Sequence, residues 1–225
     1  MATNKKRIST ETIVLGAVLT AIVVILQFMG AFIRLGPFSI SLVLIPIVIG
    51  AATCGALIST WLGLVFGIVV LISGDAAAFL AVNVPGTIIT VLAKGALCGL
   101  CAGLVFKGVL ALLDKRSQNQ ISYLKKTAGL CTSCEPSVYT FISRNNKYVA
   151  ALAAAIACPL VNTGVFLLGC LVFFLDTVAG WAGSQNVAYY MIFGLVGGNF
   201  LFELGTNIIL NPVVVRLLNI RKKKS

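Results

Sequence analysis

The sequence predicts an all-α integral membrane protein, a bundle of six transmembrane helices with both termini on the cytoplasmic side. Three observations carry that reading. Hydrophobic residues make up 59% of the 225-residue chain against 10% charged, with a mean hydropathy of +1.05, too apolar for a soluble domain of this length. At about 20 residues per crossing of a hydrocarbon core about 30 Å thick, the apolar stretches account for six spans and one long polar connection. All but Arg34 and Lys94 of the 17 Lys and Arg residues fall at the two ends or between Lys107 and Lys147, the positive-inside pattern of an even number of crossings. The chain, 1–225, reads as a single domain of the cell membrane with no room for a soluble catalytic domain.

The elements follow in order. Behind the basic cluster Lys5, Lys6 and Arg7, the apolar run from about Ile13 to Ile33 is too long for a signal-peptide core and forms helix one. Gly36 and Pro37 break it. The segment from Ser39 to Cys54 contains Pro46 and Gly50, so helix two is expected to be short or bent. A tight uncharged turn near Gly55 leads into helix three, Ala56 to Ile72, and an outer loop runs from Gly74 to Gly86. Helix four extends from Thr87 to Phe106. Residues 108–146, the one extended polar region, read as a cytoplasmic loop between helices four and five. Helix five spans Tyr148 to Leu175 with Pro159 inside, and helix six runs from Tyr189 to Leu218 into the basic tail.

A net charge of +11 would point to nucleic acid in a soluble protein, but its placement here marks topology at a lipid surface, and no nucleic-acid partner is expected. The chain has no histidine, which removes zinc-protease and histidine-base chemistry. Five of the seven cysteines lie in apolar segments as small hydrophobes. Cys131 and Cys134 form a Cys-x-x-Cys, yet a structural zinc needs four ligands, so no metal and no cofactor are expected.

Ionisable groups inside apolar sequence mark function by default, because each costs about 2.5–3.5 kcal/mol at a helix centre. Lys94 and Glu203 are the two that lie deepest, and they either pair with each other or face a polar ligand. Asn199, Glu203 and Asn207 recur at spacings of four along helix six, while Thr87, Thr90 and Lys94 share a face of helix four. Asn162 and Thr163 follow Pro159, whose missing N–H frees a carbonyl. Arg34, Asn83, Asp75 and Asp176 fall near outer loops that can cover a pocket. The candidate ligand-binding residues are therefore Arg34, Asn83, Thr90, Lys94, Asn162, Thr163, Asn199 and Glu203. The same stripes also suit interhelical hydrogen bonds worth about 0.6 kcal/mol each. Gly95, Gly99 and Gly103 form a double Gly-x-x-x-Gly that reads as internal packing, and Ala17 and Ala21 on helix one suit either packing or an external partner. No phosphate-loop motif is present, so any ATP is hydrolysed by a partner.

Several stretches together resemble the substrate-binding S-component of energy-coupling factor (ECF) transporters, in the group that includes riboflavin and pantothenate importers. They are the basic N-terminus, Ala17-x-x-x-Ala21, Gly36-Pro37-Phe38-Ser39-Ile40, Leu44-Ile45-Pro46-Ile47-Val48-Ile49-Gly50-Ala51, Lys94-Gly95 and Cys158-Pro159-Leu160-Val161-Asn162-Thr163-Gly164. The likeness covers nearly the whole chain. It implies a non-catalytic, six-helix subunit that captures a water-soluble vitamin near its outer face. It also implies docking, through Ala17 and Ala21, on a transmembrane coupling protein with two cytoplasmic ATPases. The loop with Cys131 and Cys134 is longer than the resemblance leads one to expect. Lys94 and Arg34 can neutralise a carboxylate, which favours pantothenate; riboflavin, next, would call for an aromatic wall such as Phe79, Trp181 or Phe200. Competing readings are a self-sufficient secondary transporter or channel, which would share the polar stripes, and a lipid-modifying enzyme resting on Glu203, Asp75 and Asp176.

Overall fold

The computed structural model describes residues 9–32, 34–35, 38–39, 42–127 and 135–224. The chain begins with α1 (Thr10–Phe32), followed by an antiparallel pair of two-residue strands, β1 (Arg34–Leu35) and β2 (Phe38–Ser39). Then come α2 (Leu44–Cys54), α3 (Ala56–Ile72), the one-turn α4 (Ala77–Leu80), α5 (Val84–Thr127) and α6 (Glu135–Phe173). The last third holds α7 (Leu175–Ala182), α8 (Val187–Tyr189), a π-helical stretch (Tyr190–Val196), α9 (Gly197–Ile209) and α10 (Asn211–Lys224). Lys5, Lys6, Arg7, Gly36, Pro37, Ile40, Cys131 and Cys134 lie outside the described residues, as does the Arg34 side chain.

Local chemistry sets the element ends. Ser9 starts α1: its hydroxyl accepts from the Thr12 N–H at 3.3 Å, and its carbonyl takes the N–H of Thr12 and Ile13. The α2–α3 turn needs Gly55, whose φ of +89° is open to glycine and strained for a residue with a Cβ. Pro46 is tolerated because it falls in the first turn of α2, where its absent N–H has no helical partner. Pro159 lies inside α6 without ending it.

Four helical stretches are long and apolar enough to cross a membrane: Thr10–Gly30, Val84–Tyr123, Tyr139–Phe173 and Val187–Ile220. The protein is thus an all-helical, membrane-embedded bundle apart from its two-residue strands. Its outer face is oily, as in Ile13, Val14, Val18, Ile25 and Met29 along α1, as expected where lipid tails replace water. At 11 and 17 residues, α2 and α3 are shorter.

The long helices depart most from the sequence expectation. At 1.5 Å per residue, the 44 residues of α5 reach about 66 Å, roughly twice the hydrocarbon core. Most of the region expected as a loop, 108–146, is helical on both sides and forms an α5–α6 hairpin. Asn146 Nδ2 stitches it, donating to Asp114 Oδ1 at 2.8 Å and Ser117 Oγ at 3.0 Å. The polarity there belongs to helix surface rich in good helix formers such as Leu, Lys, Arg and Gln. Helix two is also shorter than the stretch from Ser39, since α2 starts at Leu44, and helix six is interrupted twice, by the π stretch and at Leu210.

Glycine governs the α3–α5 contact. A Cβ on Gly63 would lie 1.9 Å from the Gly95 carbonyl oxygen, and one on Gly99 would lie 2.1 Å from that of Ser59. Backbone touches backbone, so the glycine stripe on α5 packs internally, as the sequence predicts. Around this contact α2 is buried most deeply, with Leu44 and Ile47 fully enclosed.

Candidate functional site

Pairing α5 with α3 on one side and α6 on the other turns the polar faces of α5, α6 and α9 toward one interior space. That space is a cavity walled by residues of α1, α3, α4, α5, α6 and α9. Six of the eight residues singled out as ligand-binding line it: Thr90, Lys94, Asn162, Thr163, Asn199 and Glu203. They come from three helices that are far apart in sequence.

The polar groups divide into two kinds. Lys94 supplies the only ammonium on the wall among the described residues, with Nζ 5.6 Å from the Phe66 ring centre and 5.2 Å from that of Phe166, both within cation–π range. Glu203, almost wholly enclosed, accepts at Oε1 from Asn199 Nδ2 at 3.0 Å. Its Oε2 has no hydrogen-bond partner among the described residues, nor do Thr90 Oγ1, Asn162 Oδ1 and Asn199 Oδ1. Among the described residues Glu203 and Lys94 make no close ion pair, yet they attract each other across the cavity that both line. Leaving several acceptors buried and unmatched costs about 1–3 kcal/mol each. A ligand bearing N–H or O–H donors at that end would recover it.

The upper wall is aromatic. Phe79, on α4, meets Phe166, Phe174 and Trp181 edge-on at 5.5, 5.0 and 5.4 Å. Of the aromatic candidates, Phe79 lines the cavity while Trp181 and Phe200 do not; Phe66, Phe166 and Phe174 do. At the rim, Gln27 of α1 donates to Asp75 in the α3–α4 connection.

Two expected ligand residues require correction or remain open. Asn83 is not on the cavity wall: its Oδ1 accepts from the Gly86 N–H at 3.0 Å and its carbonyl from the Thr87 hydroxyl at 2.7 Å. It is the N-cap of α5, in front of Pro85, a placement its residue type and spacing suit. The Arg34 side chain lies outside the described residues. Asp176 sits exposed on α7 and does not line the cavity. Sequence reasoning missed Gln27, although a lone amide in an apolar helix was a usable signal.

Asn207 also leaves the expected stripe, since its Nδ2 donates to the Glu203 carbonyl at 2.8 Å within α9. Leu195 and Val196, at the end of the π stretch, line the cavity together with Asn199 and Glu203. The wider π turn shifts the phase of the helix just before the polar residues, a distortion frequent at functional sites. Ala17 and Ala21 are both exposed on α1. Among the described residues no group of three His, Cys, Asp or Glu side chains is placed to hold a metal. Comparison with known protein families, curated proteins and solved structures finds no match.

Proposed function

We propose that the protein is the substrate-specific binding subunit of an ECF-type importer for a water-soluble vitamin, with pantothenate favoured and riboflavin next. In this reading the bundle crosses the cell membrane six times with both termini cytoplasmic. It catalyses nothing itself and depends on a transmembrane coupling protein and two cytoplasmic ATPases. The observation that carries it is the cavity in which, among the described residues, one ammonium and a separate group of buried acceptors without a hydrogen-bond partner face the same space.

Pantothenate suits that division. Its carboxylate would meet Lys94 in a charge-assisted hydrogen bond, while its hydroxyl and amide donors would face Glu203, Asn162 and Asn199. The ring wall of Phe66, Phe79, Phe166 and Phe174 supports riboflavin as the second candidate, through stacking on its flat ring system. The exposure of Ala17 and Ala21 supports docking through α1, since a small-residue face lets a partner helix approach closely.

The test is to purify the chain from cells grown on complete medium, denature it, and identify the released compound by mass spectrometry. A vitamin-like acid at near-unit stoichiometry is the expected result. Uptake by the isolated chain in vesicles, driven by an ion gradient without nucleotide, would instead establish a self-sufficient carrier.

A further inference from the structure

A second groove lies far from the cavity, where the basic end of α6 crosses α10. It is lined by Phe141, Arg144, Asn145, Tyr148, Pro212 and Val215. Its composition is two-sided. Arg144, Asn145 and Tyr148 present a guanidinium, an amide and a phenol, all hydrogen-bond donors, above an apolar floor. Among the described residues no carboxylate lines it, and the nearby Asp114 is engaged by Asn146.

The groove is also built rather than incidental. Asn211, fully buried at the α9–α10 break, donates from Nδ2 to the Tyr148 carbonyl at 3.3 Å, and its Oδ1 has no protein partner. Lys147 Nζ donates to Asn219 Oδ1 at 3.0 Å, a second tie between the helices. The Arg144 guanidinium stands 5.8 Å from the Phe141 ring centre, which holds it at the groove. Val149, next to Tyr148 on α6, and Ile208, on α9 just before the break, are exposed, at 40% and 39%. These positions place the donors at the boundary between the apolar span and the basic flank, with oily surface leading inward.

We propose that this groove binds the phosphodiester headgroup of an anionic phospholipid. The phosphate oxygens accept from Arg144 and Tyr148, and an acyl chain follows Val149 and Ile208. A guanidinium matches phosphate in a bidentate fork, and basic pockets between membrane helices favour anionic headgroups. The zwitterionic choline headgroup adds a cation that the cationic rim does not welcome.

The test uses the full chain in nanodiscs of phosphatidylcholine with a minor fraction of phosphatidylglycerol, followed by native mass spectrometry of retained lipid. Phosphatidylglycerol is expected to be enriched on the protein over its share of the bilayer. Arg144→Gln should cut that enrichment about tenfold, the scale of one charged hydrogen bond. Tyr148→Phe should cut it several-fold, and Lys115→Gln, an exposed basic residue elsewhere on α5, should leave it unchanged. If Arg144→Gln fails to elute as a folded species, Arg144→Lys keeps the charge, loses the fork and is expected to show an intermediate loss.

Equal retention of both lipids would overturn the proposal. So would an equal loss in Lys115→Gln, which would make the effect one of general charge. Inorganic phosphate displacing phosphatidylglycerol would assign the groove to a soluble anion, and a dimer abolished by Arg144→Gln would assign it to a second copy of the chain.

Discussion

Replacing Gly95 with valine drives three carbon atoms into the backbone of the facing helix. The first alone, the Cβ, would lie 2.2 Å from the Gly63 carbonyl oxygen, whereas real Cβ contacts are essentially never under 3.0 Å. The obstacle is main chain, so no side-chain rotation relieves it and α3 must move away from α5 by about 0.8 Å or more. Overpacking of this kind costs about 1–3 kcal/mol, and a rigid backbone contact belongs at the upper end. Valine is only slightly the better helix former, which returns a few tenths of a kcal/mol. Each kcal/mol moves Tm by about 2–4 °C in a chain of this size, so a fall of about 6–12 °C is expected in detergent, read by intrinsic tryptophan fluorescence. Gly108→Val is the control, because a Cβ there has nothing within 4 Å. Since Lys94 adjoins Gly95, the displaced helix should also weaken ligand binding. Equal melting of the two variants would refute the backbone-contact argument.

Lys94→Met should retain the fold, because the lost ammonium rests over two rings and makes no close ion pair among the described residues. Its affinity for pantothenate in titration calorimetry should fall about 10- to 150-fold, the equivalent of about 1.5–3 kcal/mol; an unchanged affinity would mean that no anion sits at Lys94. Asn83→Ala removes the α5 cap and should lower stability by about 1 kcal/mol with ligand affinity intact. The reverse result, intact melting and lost affinity, would return Asn83 to the binding site. Ala17→Trp with Ala21→Trp changes two exposed positions, so melting should move by no more than about 2 °C while co-purification of a coupling protein is abolished. Retained co-purification would place the docking face elsewhere.

Much of the candidate site was legible because membrane burial makes polarity expensive. Lys94, Asn162 and Glu203 stand out against apolar neighbours, and helical spacing alone puts Asn199 with Glu203. What the spacing leaves open is the choice between pairing and exposure to a ligand. That depends on how α5, α6 and α9 are rotated relative to one another, and the glycine contact and the π stretch set this rotation. Asn83 was misread because an asparagine at an outer loop end suits a cap and a ligand contact equally. The turn at Gly55 and the exact span of α3 were legible, as both follow from local sequence. The α5–α6 hairpin was not, because polar composition outside the bilayer is shared by loops and exposed helices, and Asp114, Ser117 and Asn146 meet only once both helices exist.

The shortness of α2 links the fold to the cavity. Its 11 residues rise about 16 Å, roughly half the hydrocarbon thickness. Gly55 donates back to the Gly50 carbonyl at 3.1 Å, and the Ser59 hydroxyl donates to the Ile47 carbonyl at 3.2 Å. These two bonds tie the turn from α2 into α3. Central but short, α2 touches α1, α3, α5, α6, α9 and α10; all of these but α10 contribute to the cavity wall, and none of its described lining residues comes from α2. A full-length helix in the same central position would fill the middle of the bundle with its own side chains. Stopping it part-way leaves space that its neighbours enclose, and the polar residues on those neighbours then face a cavity instead of packed apolar carbon.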